Sequence, residues 1–150
     1  MLFQQGVPVS PLSRVTHNPA MSKHETPLTR RYWQTVGGTL VEEFPAVLRG
    51  PHHAQRLLDG VIILGEQPVI AKSRDVEIKG KDIIVIQTKA NRLGMYLIGQ
   101  AIISARLMAR FEPRSVKSVA ICTQGDAVLE MLLPEHGIEL VVMPLASASL

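Results

Sequence analysis

Lys81–Phe111, KDIIVIQTKANRLGMYLIGQAIISARLMARF, decides how the chain is read. Ile83 to Ile86 form an unbroken β-branched run, the pattern of a strand covered on both faces. The run ends in Gln87-Thr88-Lys89. Alternation along a strand puts Gln87 and Lys89 on one face and Thr88 on the other. A long helix is expected to follow directly, with Asn91 as its cap. Lys89, Arg92 and the first free N–H groups of that helix would then converge on an anion site, since a helix N-terminus favours negative charge. The plain alternative is a strand that has reached solvent.

Working outward, Leu57–Leu64 (LLDGVIIL) reads as a second buried strand with Asp59 near its start. A carboxylate entering a buried strand is costly unless something pairs with it or uses it. The competing reading is a strand-edge residue capping a neighbouring turn. Between the two strands RDVEIKGKD forms a polar, hairpin-like region around Gly80, and its Glu77-x-Lys79 is read as turn surface. Upstream, Pro27–Val36 is expected to be a helix starting at its proline, anchored by Trp33. Gly37-Gly38 interrupts it. TLVEEFPAVL stays open between a helical turn capped by Thr39-x-x-Glu42 and a short strand. Downstream, Ser115–Thr123 reads as a strand, Asp126–Leu133 as a short helix and Glu139–Met143 as the last strand.

The chain is 150 residues long and 46% hydrophobic, which suits one domain with an adequate core. The expected layout is a loose, proline-rich arm over 1–26, one α/β domain over 27–145 and a frayed tail over 146–150. Met21 offers an alternative start, and MLFQQGVPVSPL lacks the basic n-region of a signal peptide. No apolar run reaches the ~20 residues of a membrane span. A lone cysteine, Cys122, excludes an internal disulfide, suits a reducing cytoplasm and is read as a small core residue. The adjacent His52 and His53 are read as exposed loop residues, not as metal ligands.

The net charge of +3 resides in the first 31 residues, and the remaining 119 balance. The high pI is therefore poor support for nucleic-acid binding by the domain itself. Within the domain, however, Lys89–Lys117 holds six basic side chains and the single acid Glu112, while Ser118 onward holds only acids. Along the long helix Arg92, Tyr96, Gln100 and Ser104 recur every four residues as one polar row, with Arg106 and Arg110 extending it. A basic face beside the central strand and an ordinary solvated helix surface are both consistent with this pattern.

An Asp at the head of one strand, a hairpin, an apolar strand closing in (acid or amide)-x-Lys, and a helix carrying a glutamine together resemble the PD-(D/E)xK nuclease superfamily. The resemblance covers roughly residues 27–143 as an order of elements, and Asp59, Gln87 and Lys89 as motif residues. It implies a single mixed β-sheet flanked by helices, with a restriction-endonuclease-like αβββαβ core. It implies a Mg²⁺- or Mn²⁺-dependent nuclease acting on DNA or RNA, with Asp59, Gln87 and Lys89 catalytic. Asp59, the Gln87 amide oxygen and the Thr88 carbonyl would hold the metal, with Glu42 or Glu43 as the further acid. Arg92, Tyr96, Gln100, Arg106 and Arg110 would meet nucleic acid. Gln87 departs from the usual acid and removes one negative charge from the metal shell. Two further readings therefore stand. One is a nuclease-like domain that binds nucleic acid or serves assembly without cutting. The other is an α/β domain binding a phosphorylated small ligand, although no Gly-rich phosphate loop is present.

Overall fold

The computed structural model describes residues 19–145, with side chains from residue 24 onward. The elements in chain order are α1 (Pro19–Val36), β1 (Thr39–Val47), β2 (Arg56–Ile63), β3 (Ile70–Ala71), a 3-10 turn (Ser73–Asp75) and β4 (Asp82–Thr88). Then come α2 (Met95–Ala109), β5 (Ser115–Cys122), α3 (Ala127–Glu130), a second 3-10 turn (Pro134–His136) and β6 (Ile138–Val142). The protein is thus α/β, with one six-stranded mixed sheet in the order β3-β1-β2-β4-β5-β6. β1, β2 and β4 run antiparallel to their neighbours in turn, while β4, β5 and β6 are parallel. No described helix is long and apolar enough to cross a membrane.

β4 shows why the sheet is covered on both faces. Ile84 and Ile86 pack with Leu28 and Tyr32 of α1. Ile83 and Val85 pack on the opposite side with Met108 of α2. β5 alternates likewise, with Val119 and Ile121 toward α1, and Ala120 and Cys122 toward Leu97 and Ala101 of α2. A parallel pair needs a crossover of a dozen or more residues, and α2 supplies it between β4 and β5. Cys122 is fully buried, as expected of a core residue, and burial raises its thiol pKa.

Several expected boundaries move. α1 begins at Pro19, so part of the segment expected to be a loose arm is helical and Pro27 lies inside it. Residues 1–18 and 146–150 of the expected arm and tail lie outside the described residues. Tyr32, i+4 from Leu28, is the buried anchor of α1. Trp33 is half-buried and donates its indole N–H to the Gly38 carbonyl at 2.7 Å. Gly37 and Gly38 both take positive φ, and a Cβ on Gly38 would stand 2.5 Å from the Ile63 carbonyl oxygen. That turn ends the helix and starts a nine-residue strand, which resolves TLVEEFPAVL as β1. Thr39 bonds the Gln67 carbonyl at 2.6 Å and does not cap a helix.

The segment after β4 also differs from expectation. α2 starts at Met95, with Gly94 and not Asn91 at the cap position and no side-chain cap. Residues 89–94 instead form a loop tied to the end of β5: Lys89 N–H donates to Ile121 O, Thr123 N–H to Asn91 O and Leu93 N–H to Gln124 O. Lys79 and Glu77 lie at the far end of the sheet, on the turn before β4, where Lys79 pairs with Glu112 across 3.4 Å.

Candidate functional site

The site forms where β2 and β4 part. Their last ladder pair is Gly60 with Ile86. One step further the Asp59 side chain takes the place of a backbone partner: the Thr88 N–H donates to Asp59 Oδ2 at 2.8 Å. A break in alternation accompanies this opening. On β1, Val41 and Phe44 reach the same core although three residues apart, and on β2 Leu58 and Val61 do the same. Glu43, inside the first of these gaps, has φ 48°, rare for a residue with a side chain. Gly60, inside the second, faces α1. A Cβ there would meet Thr29 Cγ2 at 3.2 Å and Leu40 Cδ1 at 3.3 Å. Gly60 therefore lets α1 approach closely just beside Asp59.

The alternation expected over Gln87-Thr88-Lys89 holds. Thr88 turns to α1 and its hydroxyl lies 2.8 Å from that of Thr29. Gln87, 4% exposed, turns to α2 and donates its amide N–H to Ser104 Oγ at 2.6 Å. That bond directs Oε1 away from Ser104, and no described residue donates to it. Lys89 also turns to α2, its ammonium 5.4 Å from the centroid of the Tyr96 ring.

The charges around Asp59 act on it in opposite directions. Burial pushes the Asp59 carboxyl above its ordinary pKa. The Thr88 N–H and the Lys89 charge pull it back down, and the Glu43 charge raises it further. The Asp59 carboxyl thus feels both the Lys89 and the Glu43 charge. Glu42 is not part of this group. Its carboxylate is held by Arg30 of α1 through two bonds, of 2.7 and 2.9 Å. Glu25 falls in the segment expected to be a loose arm. It lies one helical turn before Thr29 on α1, and its carbonyl accepts the Thr29 hydroxyl at 3.2 Å.

The expected basic face is partly dispersed. Arg92 is not at a helix start: its guanidinium donates to the Gly125 carbonyl at 2.9 Å, beside the end of β5. Arg114 pairs with Asp82 and Lys117 with Glu139. Arg106, on α2, and Arg110, at its C-cap, are exposed. The polar row also twists, since Tyr96 is 72% exposed whereas Ser104 is buried against Gln87. Two clefts flank Tyr96. One, of about 740 Å³, lies between α2 and the Val47–Leu58 segment, with Gln87, Gln100 and Ser104 among its lining. The other, of about 640 Å³, lies along residues 89–97 and includes Lys89 and Arg92.

Asp59, Gln87 and Thr88 offer carboxylate, amide and carbonyl oxygens, the donor type a hard cation such as Mg²⁺ takes, and one or two carboxylates are its usual protein complement. The described residues contain no group of three or more His, Cys, Asp or Glu able to hold a metal ion. The charge on any such site would therefore be low. Comparisons of the chain with protein-family models, with curated proteins and with solved structures give no match.

Proposed function

We propose that the domain is a metal-dependent nuclease built on a restriction-endonuclease-like αβββαβ core, with α1, β1, β2, β4, α2 and β5 as that core. The observation carrying this reading is the Asp59 carboxylate in the opening between β2 and β4, bonded to Thr88 and within the field of Lys89. Asp59 Oδ1, Gln87 Oε1 and the Thr88 carbonyl are the candidate ligands for Mg²⁺ or Mn²⁺, with Glu43 supplying negative charge from outside that set. A cation held by these oxygens would supply Lewis acidity and make a water more acidic. Lys89 places a positive charge where negative charge grows on the phosphate oxygens as the water oxygen attacks phosphorus, its proton passing to solvent, and the leaving P–O bond breaks, the leaving oxygen taking a proton from solvent. Ser104 orients the Gln87 amide so that its oxygen, not its NH₂, faces the opening.

One observation favours a second reading, binding without cleavage: the residue at the usual acid position is a neutral amide already bonded to Ser104. Cleavage of labelled single- and double-stranded DNA and RNA with Mg²⁺ or Mn²⁺ separates the two. Activity lost in Lys89→Ala and in Asp59→Asn supports the nuclease. No cleavage of any form by the wild type overturns it. Gln87→Glu restores the missing charge, and Ser104 can still donate to a carboxylate. That variant is expected to bind Mn²⁺ more tightly than the wild type. Retained, salt-sensitive oligonucleotide binding without cleavage marks the second reading and excludes a site for a small phosphorylated ligand.

A further inference from the structure

The nuclease reading places Tyr96 only generally, among the residues expected to meet nucleic acid, and gives its ring no specific part. It is a large aromatic side chain, 72% exposed, at the start of α2. It lines both clefts, so it forms the ridge between them. Its surroundings are uniform in sign. The two clefts are lined by Lys89, Arg92, Arg56 and His53 and by no Asp or Glu among the described residues. Amide groups, Gln87, Gln100 and Gln55 in one cleft and Asn91 in the other, sit among apolar side chains such as Leu57, Met95 and Ile103.

We infer that this paired groove binds a single-stranded stretch of nucleic acid, with one unpaired base stacked on Tyr96. The inference rests on the proposed function for the identity of the reacting site, and it names the form of substrate that site would receive. Stacking on an aromatic face needs a base whose own faces are free, which a continuous duplex does not offer, whereas single strands track grooves that combine positive charge with aromatic platforms. Lys89 links the two parts. Its ammonium lies 5.4 Å from the Tyr96 ring centroid and its charge acts on Asp59. A base on Tyr96 thus has its phosphate beside Lys89, within one nucleotide of the opening between β2 and β4. From Met95 to Leu107 the groove follows α2 for about 18 Å at the helical rise, on the order of five nucleotides at the strand charge spacing of duplex DNA. Gln100 and Gln55 present both donors and acceptors to base edges. Tyr96 carries the stacking without requiring a particular base.

The test is fluorescence anisotropy on the full chain, in EDTA so that no cleavage intervenes. The probes are a short labelled oligothymidylate and a blunt duplex of the same length. Wild type is expected to bind the single strand more tightly, with affinity falling as salt rises. Tyr96→Ala is expected to lose roughly tenfold or more for one stacked base, while Tyr96→Phe retains binding. Circular dichroism melting checks that the exposed substitution leaves the fold intact. Equal or tighter binding of the duplex, or an unchanged affinity in Tyr96→Ala, overturns the inference. So does sedimentation showing a dimer that dissociates in Tyr96→Ala, which would make the same face a contact between copies. Cleavage without Tyr96-dependent binding defeats this inference and leaves the nuclease standing. Tyr96-dependent binding without cleavage does the reverse.

Discussion

Thr29 and Thr88 join α1 to the site strand through a hydroxyl pair buried at 2.8 Å. Either oxygen of an isolated pair could donate, but here the direction is set. Thr29 commits its one proton to the Glu25 carbonyl, so Thr88 must donate to Thr29. The two substitutions are therefore unequal. Thr29→Val keeps the shape but leaves a buried Thr88 O–H with no acceptor, a loss of about 1–3 kcal/mol. Thr88→Val removes one net hydrogen bond and leaves Thr29 still bonded to Glu25, a loss of roughly 1 kcal/mol. The double variant has no orphaned donor, so its loss is expected near 1 kcal/mol and well below the sum, a coupling of about 2 kcal/mol. For a chain of 150 residues, the middle of the Thr29→Val range, about 2 kcal/mol, corresponds to a fall in Tm of roughly 4–8 °C. Urea unfolding of the four proteins gives the cycle directly. Additive losses, or a larger loss for Thr88→Val than for Thr29→Val, would refute the assigned proton direction.

Two further perturbations bear on the site. Burial dominates the raised Asp59 pKa, so its contribution to stability is fully present below the unfolded carboxyl pKa and is lost as pH rises through the folded one. Asp59→Asn is therefore expected to raise Tm at neutral pH, with the advantage shrinking on mild acidification, while abolishing metal-dependent cleavage; thermal melts at two pH values check it. Glu43 sits at φ 48°. Glu43→Gly is expected to stabilise by about 1 kcal/mol through relief of that conformation, and to weaken Mn²⁺ binding if the Glu43 charge contributes; a denaturation midpoint that falls would contradict the first part.

What could be read in the chain was what local pattern determines. The isoleucine run predicted a doubly covered strand, and strict alternation put Gln87 and Lys89 on one face and Thr88 on the other. The solvent faces of α2 were harder. Steps of four residues overrun a 3.6-residue turn, so the row from Tyr96 to Ser104 drifts by about 80° and ends against the sheet. The start of α2 was displaced because residues 89–94 are held by bonds to β5, which no local signal reveals. The face taken by Glu42 depends on the backbone reversal at Glu43, a residue type with no preference for positive φ. Pro27 marked a helix start in sequence but lies inside α1, where packing of Leu28 and Tyr32 outweighs one missing N–H.

The Thr88 amide has a carboxylate where its neighbours along β4 have peptide carbonyls. Its exchange with deuterated solvent is thereby tied to the ionisation of one side chain. Protonating Asp59, or drawing its electron density toward a bound ion, weakens the acceptor and loosens that single proton while the rest of the strand stays closed. A central strand of this sheet thus carries an isotopic gauge of its own acid, readable at one backbone resonance.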